Sequence, residues 1–167
     1  MARHRHCPVA ADIVASALQD FVWAQTDTFN AMREQCESPI EELFLGGLMA
    51  ASLRNGDCIE FSEGGLLGGA PPTRPTCYQQ VRMGDYRVDF FIIKPGPKGA
   101  TNIVVECDGH EFHALTKEQQ TNDRKRDRYF TSSGYIVLRF TGSEIFADPY
   151  RCGYEVLKMA VLTAGRE

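Results

Sequence analysis

This sequence predicts an α/β fold built on a mixed sheet, and three observations carry the prediction. Tyr86–Ile93 and Ile103–Cys107 are runs of β-branched and aromatic residues separated by KPGPKGA, which extends neither of them. A further apolar run, Tyr135–Phe140, lies beyond a segment of helical character, so the chain crosses over before returning to the sheet. Helix-start signatures stand before and after these runs, at Ser38-Pro39-Ile40-Glu41 and at Asp148-Pro149.

At 167 residues the chain suits one domain with a sizeable core, burying ~70% of its unfolded surface. A hydrophobic content of 43% and a charged content of 24% are ordinary for a soluble globular protein. The net charge of −4 excludes a general polyanion binder, so contact with nucleic acid must come from a local basic patch. Six scattered cysteines with no CxxC pair read as reduced thiols of a cytoplasmic protein, not as a zinc site or disulfide framework. Asp12 breaks the only apolar run near the start, which argues against a signal peptide, and no stretch of about 18 apolar residues exists to cross a membrane.

In order, Val9, Ile13, Leu18, Phe21, Val22 and Phe29 recur at helical spacing after Pro8, predicting a packing or capping helix over residues 9 to about 34. Residues 1–37 therefore read as an N-terminal helical extension and 38–167 as the main domain. Ser38, Pro39 and Glu41 form an N-cap, a first-turn proline and a capping box, followed by a buried stripe of Leu43, Phe44 and Leu48, extending to Ala51 and Leu53. From Arg54 to Pro75 the chain reads as a long irregular loop; a strand piece within Cys58–Ser62 is compatible with it but is not counted among the strands. Cys77–Met83 and Tyr86–Ile93 read as a hairpin turning at Gly84-Asp85, with the 103–107 strand completing a meander. Thr116-Lys117-Glu118-Gln119 is a second capping box, opening a helix that runs to about Ser133 and ends at Gly134. Tyr135–Phe140 is the fourth strand, and Asp148-Pro149 leads a last helix through Tyr150, Cys152, Val156, Met159 and Ala160. The order is helix, three-strand meander, crossover helix, strand, helix, with the extra helix in front.

Carboxylates interrupt the apolar runs: Asp89 in one strand, Glu106 and Asp108 in the next. Strand alternation puts Glu106 and Asp108 on one face with Val104, and Val105 and Cys107 on the other. A buried carboxylate is costly unless something meets it, and three of them on neighbouring strands are accounted for by a divalent cation. Next to them, the 116–133 helix carries Asp123, Arg124, Lys125, Arg126, Asp127 and Arg128 in one block. Two readings stand level: a solvated face laced with ion pairs, or a surface for a phosphate backbone.

The residues Ser38-Pro39-Ile40-Glu41, Tyr86-Arg87-Val88-Asp89-Phe90, Val105-Glu106-Cys107-Asp108-Gly109 with His113, then Asp123, Arg126-Asp127 and Gly134–Phe140 together resemble the PD-(D/E)XK nuclease superfamily, the restriction-endonuclease-like fold. More narrowly they resemble the small domains related to very short patch repair endonucleases. The resemblance covers about residues 38–162 and implies a metal-dependent endonuclease that hydrolyses phosphodiester bonds, of DNA in the first instance. It implies that Asp89, Glu106 and the backbone carbonyl of Cys107 hold Mg²⁺ or Mn²⁺, with Glu41 reaching the site from its helix through a water or a second metal.

At one place the sequence departs from that pattern. The lysine usual two residues after the glutamate is here Asp108. Either Asp108 is a further ligand or orienter, with the cation supplied by Lys117, Lys125 or Arg126, or His113 serves as general acid or base. Lys117, Arg124, Lys125, Arg126 and Arg128 are the candidate nucleic-acid contacts. The alternative from another class is a catalytically weak or inactive module that binds nucleic acid or a protein partner. No separate reading module is evident, so specificity is expected from the 54–75 loop, a homodimer or a larger complex.

Overall fold

Ser38 and Pro39 begin the helix on which one half of the core is laid, and the chain reaches them through another. The structure, a computed structural model, describes residues 8–56, 59–62, 71–97, 99–108 and 117–162, and for 8–14, 117–120 and 160–162 it describes the backbone. Helix α1 (Pro8–Arg33) takes the expected span. Its end packs, with Met32 fully buried and Phe29 against the core, but Leu18, Phe21 and Val22 are more than half exposed. The apolar spacing there is not a buried stripe. Helix α2 (Pro39–Asn55) follows, with Ser38 as N-cap and Gly56 at φ 70° closing it in the left-handed conformation. Its buried face is Phe44, Leu45, Leu48, Met49, Ala51 and Ser52, while Leu43 and Leu53, expected inside, face outward.

The sheet contains five strands, β1 (Glu60–Ser62), β2 (Thr76–Met83), β3 (Tyr86–Lys94), β4 (Thr101–Asp108) and β5 (Ile136–Thr141), in that spatial order. The meander β2-β3-β4 is antiparallel, turning at Gly84, and both outer strands run parallel to their neighbours. Helix α3 (Lys117–Ser132) is the crossover from β4 to β5, and Gly134 at φ 79° ends its last turn. Two elements depart from the expected order. β1 forms inside the segment read as irregular, because Glu60 N–H reaches the Pro75 carbonyl at 2.8 Å and the two chains lie parallel. Helix α4 (Gly142–Ala147) starts directly at the end of β5, where Thr141 and Glu144 form a reciprocal capping box. The last helix, α5 (Pro149–Leu162), is capped as expected, Asp148 Oδ1 accepting from Arg151 N–H at 2.9 Å. Its inner side is Cys152, Gly153, Val156 and Leu157; Met159 is exposed.

Two apolar layers clamp the sheet. One face packs on α2, α4 and α5 through Phe90, Ile92, Ile103, Val105 and Phe140. The other packs beneath α3 through Val81, Val88, Phe91, Val104 and the fully buried Phe130. The first layer depends on backbone-to-backbone contact between α2 and α5. A Cβ on Gly47 would stand 2.0 Å from the Pro149 carbonyl oxygen, and one on Gly153 would stand 2.6 Å from Leu48 Cα. Among the described residues Cys36, Cys77, Cys107 and Cys152 are free thiols, and no helix is long and apolar enough to cross a membrane.

Gly47→Ala therefore forces α2 and α5 apart. It is expected to cost about 1–3 kcal/mol, the usual penalty of overpacking, and to lower the unfolding temperature by ~3–10 °C in a thermal melt. An unchanged melt would mean that the contact relaxes freely.

Candidate active site

The site begins with an interruption in the hairpin. β2 and β3 pair at Gln79–Phe90 and again at Val81–Val88, but Gln80 and Asp89 between them do not pair. Gln80 has φ 50°, and it is the one non-glycine residue in the left-handed region among those described. In a regular strand residues 77, 81 and 83 would share a face. Here Cys77 faces α2 and α5, whereas Val81 and Met83 face α3; on β3 Phe90 and Ile92 lie with Cys77, and Val88 lies with Val81. Both strands change sides at Gln80 and Asp89.

A second interruption lies across β3. The β3–β4 ladder runs from Lys94–Thr101 to Phe90–Val105 and stops, while β4 continues along β5 to Asp108. Into this fork goes the Asp89 carboxylate, whose Oδ2 accepts from Cys107 N–H at 2.7 Å in place of a backbone carbonyl. The N–H and C=O of an extended residue leave on the same strand edge, so the Cys107 carbonyl faces the fork as well. Glu106, on the α3 side with Val104 as the alternation predicts, is paired with Arg126. The same Arg126 Nη2 donates to the Arg87 carbonyl at 2.7 Å, and the Arg126 guanidinium lies 6.0 Å from the Phe130 ring centroid.

Glu41 approaches from α2 and is buried. Its carboxylate accepts from Ser38 Oγ at 2.8 Å, from Glu37 N–H at 2.9 Å and from Gln80 Nε2 at 2.9 Å. The expected capping box is thus displaced by one residue: the backbone donor is Glu37, not Ser38. Glu41 is shared between the helix start and the hairpin break.

Electrostatics bind these groups into one unit. Burial pushes the Glu106 carboxyl up to about 7, with Asp89 adding to the rise and Arg126 and Arg139 opposing it. Burial also raises Asp89, helped by Glu41 and Asp108 and opposed by the Cys107 N–H and Arg126. The cost of burying these charges outweighs the one arginine in direct contact.

Asp108 is exposed at the end of β4. His113 lies outside the described residues, as do the proposed cap Thr116 and the Lys117 side chain. The block on α3 divides in a way its composition did not disclose. Arg126 turns to the site, Asp127 pairs with Arg139 of β5 at 2.8 Å, and Arg124, Lys125 and Arg128 are exposed without an ion pair among the described residues. Helical i,i+4 pairing within the block is not what organises it. Gln80 was missed by sequence reasoning; its only trace was a polar Gln79-Gln80 pair inside a strand.

A family model described as REase_MTES_1575, a restriction endonuclease-like family, matches residues 74–159, just over half of the chain. The chain belongs to this family. No curated protein and no solved structure matches it. The match supports the PD-(D/E)XK nuclease-like superfamily and does not bear on the narrower resemblance to very short patch repair endonucleases. Of this restriction endonuclease-like chain it covers β2 to α5, with Asp89, Glu106, Asp108 and Arg126, and leaves Glu41 outside.

Members of the superfamily usually use divalent metals. Among the described residues no three His, Cys, Asp or Glu side chains form a group that could hold an ion. The candidate donors are fewer and all oxygen: Asp89 and Glu106, whose charges act on each other, and the Cys107 carbonyl facing the same fork; Gln80 Oε1, on the amide that meets Glu41, is buried without a hydrogen-bond partner among the described residues. That set fits a hard cation such as Mg²⁺ or Mn²⁺, which takes one or two carboxylates and leaves its other positions to water and phosphate.

Because the folded Glu106 holds its proton to about pH 7 while an unfolded glutamate releases it near 4.5, its contribution to stability is whole below pH 4.5 and is lost as pH rises through 7. Metal-free Glu106→Gln is therefore expected to gain on the parent by a few degrees of unfolding temperature between pH 4.5 and 8. Melts whose difference is flat across that range would show that Glu106 titrates normally.

Proposed function

We propose that this protein is a metal-dependent endonuclease acting on nucleic acid, in the first instance DNA. The observation that carries the reading is the arrival of Asp89 and Glu106 at the fork between β3 and β4 in a restriction endonuclease-like chain. Asp89, Glu106 and the Cys107 carbonyl hold the cation, Mg²⁺ or Mn²⁺, and Glu41 acts from the α2 side. When bound, that cation supplies charge to the scissile phosphate and acidity to water. Arg126 fills the part of the missing lysine: it contacts Glu106 directly, and as a guanidinium it contributes charge and orientation, never a base. With Arg126 in that part Asp108 orients or adds a ligand; in the alternative, His113 acts as general acid or base. Lys117, Arg124, Lys125 and Arg128 meet phosphates along α3, with specificity added by the 54–75 loop, a homodimer or a larger complex. The reading places the protein in the cytoplasm, with residues 1–37 as an extension to a nuclease domain of 38–167.

Purified protein should cut members of a panel of plasmid, linear and single-stranded DNA and RNA with Mg²⁺ or Mn²⁺ and not with EDTA. Glu106→Ala should reduce cutting by about 100-fold or more while retaining binding. Cleavage undiminished in Glu106→Ala would defeat the assignment. Asp108 at the lysine position favours a second reading, a module that binds without cutting, and binding with no cleavage under any metal would establish it.

The surface of α3 has its own test. Removing the charge of Arg124, Lys125 and Arg128 one at a time should flatten the salt dependence of binding by about one unit of slope for each phosphate no longer neutralised. A slope that does not change returns those three side chains to a solvated face.

A further inference from the structure

We infer that Gln80 is a positioning residue of this site, acting through Glu41 and through the backbone break that frees Asp89. The inference rests on the metal-site reading above. Three observations meet at the residue. It alone among described non-glycine residues has a left-handed backbone, at φ 50°. It stands opposite Asp89 at the one unpaired step between Gln79–Phe90 and Val81–Val88, where both strands change faces. Its Nε2 donates to Glu41 Oε2 at 2.9 Å, and its Oε1 is buried without a partner among the described residues.

A glutamine in this conformation is unexpected on local grounds. Glycine enters the left-handed region freely, asparagine and aspartate with little difficulty, and glutamine at a cost. A turn or a bulge alone would be served better by glycine. What glycine cannot supply is the amide, and the amide spans from the hairpin to α2. It anchors the carboxylate of Glu41, whose charge is felt by Asp89. The backbone half of the role removes Asp89 from the ladder so that its carboxylate turns to Cys107 N–H. Strain and side chain thus serve the same assembly.

The test separates the two halves. Gln80→Gly keeps the backbone conformation and removes the amide; its melt is expected at or above that of the parent. Its affinity for Mn²⁺, read by calorimetry on the metal-free protein, is expected to fall by about 10–100-fold, the usual effect of losing a residue that orients a ligand. In a Glu41→Ala background the same change should cost nothing more, because the amide then has no carboxylate to hold. Gln80→Asn, which also tolerates the left-handed region but is one methylene shorter, should weaken Mn²⁺ binding as well. Parent-like Mn²⁺ affinity in both single variants, or an equal loss with and without Glu41, overturns the role of Gln80. Asp89→Ala distinguishes the two failures: if it binds Mn²⁺ as the parent does, or the parent binds none, the metal site itself is wrong and the inference falls with it.

Discussion

Carboxylates enter the middle of a sheet only where donors meet them, and the way Asp89 is met organises much of this molecule. A backbone N–H that an ordinary ladder would give to a carbonyl is given instead to a side chain. Accepting it requires β3 and β4 to part after Phe90–Val105, and the same residue has already left its pairing with β2. The sheet is therefore open on both sides of one aspartate. Glu106 is met differently, by a guanidinium that reaches across from α3. The two carboxylates sit on one fork but are supported by different layers.

That division explains the architecture around them. On one face α2 carries Glu41, and α2 is fixed by its glycine contact with α5. On the other face α3 carries Arg126 and is moored by Phe130, whose ring packs with Tyr86, Tyr129 and Tyr135. Each layer delivers one charged residue to the break in the sheet. Neither layer could do so if the strands ran regularly, because a regular strand hides its alternate residues on fixed faces.

Much of this was legible in the sequence. Apolar runs broken by Gly and Pro set out β2 to β5, and the Ser38-Pro39 and Asp148-Pro149 signatures marked α2 and α5. The period of two also put Glu106 and Cys107 on the correct faces. It failed between Gln80 and Asp89 because alternation is a property of an unbroken ladder, and nothing in a glutamine announces a left-handed backbone. β1 lies within the Cys58–Ser62 piece compatible with a strand but was not counted, because three residues carry too little pattern and its pairing is set by Pro75, distant in sequence. α4 was announced by Thr141 and Glu144, a signature hidden by its position at the very end of a strand. On α1 the spacing was helical but the apolar side is exposed; periodicity reports a helix and not what covers it.

The mooring of α3 has a consequence for geometry at larger scale. Arg126 and Phe130 fix this helix to the sheet on one side, while Arg124, Lys125 and Arg128 project from the same rod. Successive residues advance by about 1.5 Å along such a rod, so its outward charges stand at fixed offsets from Glu106. The helix is in effect a graduated ruler with its zero at the carboxylates, its charges spaced by the rise of the helix itself.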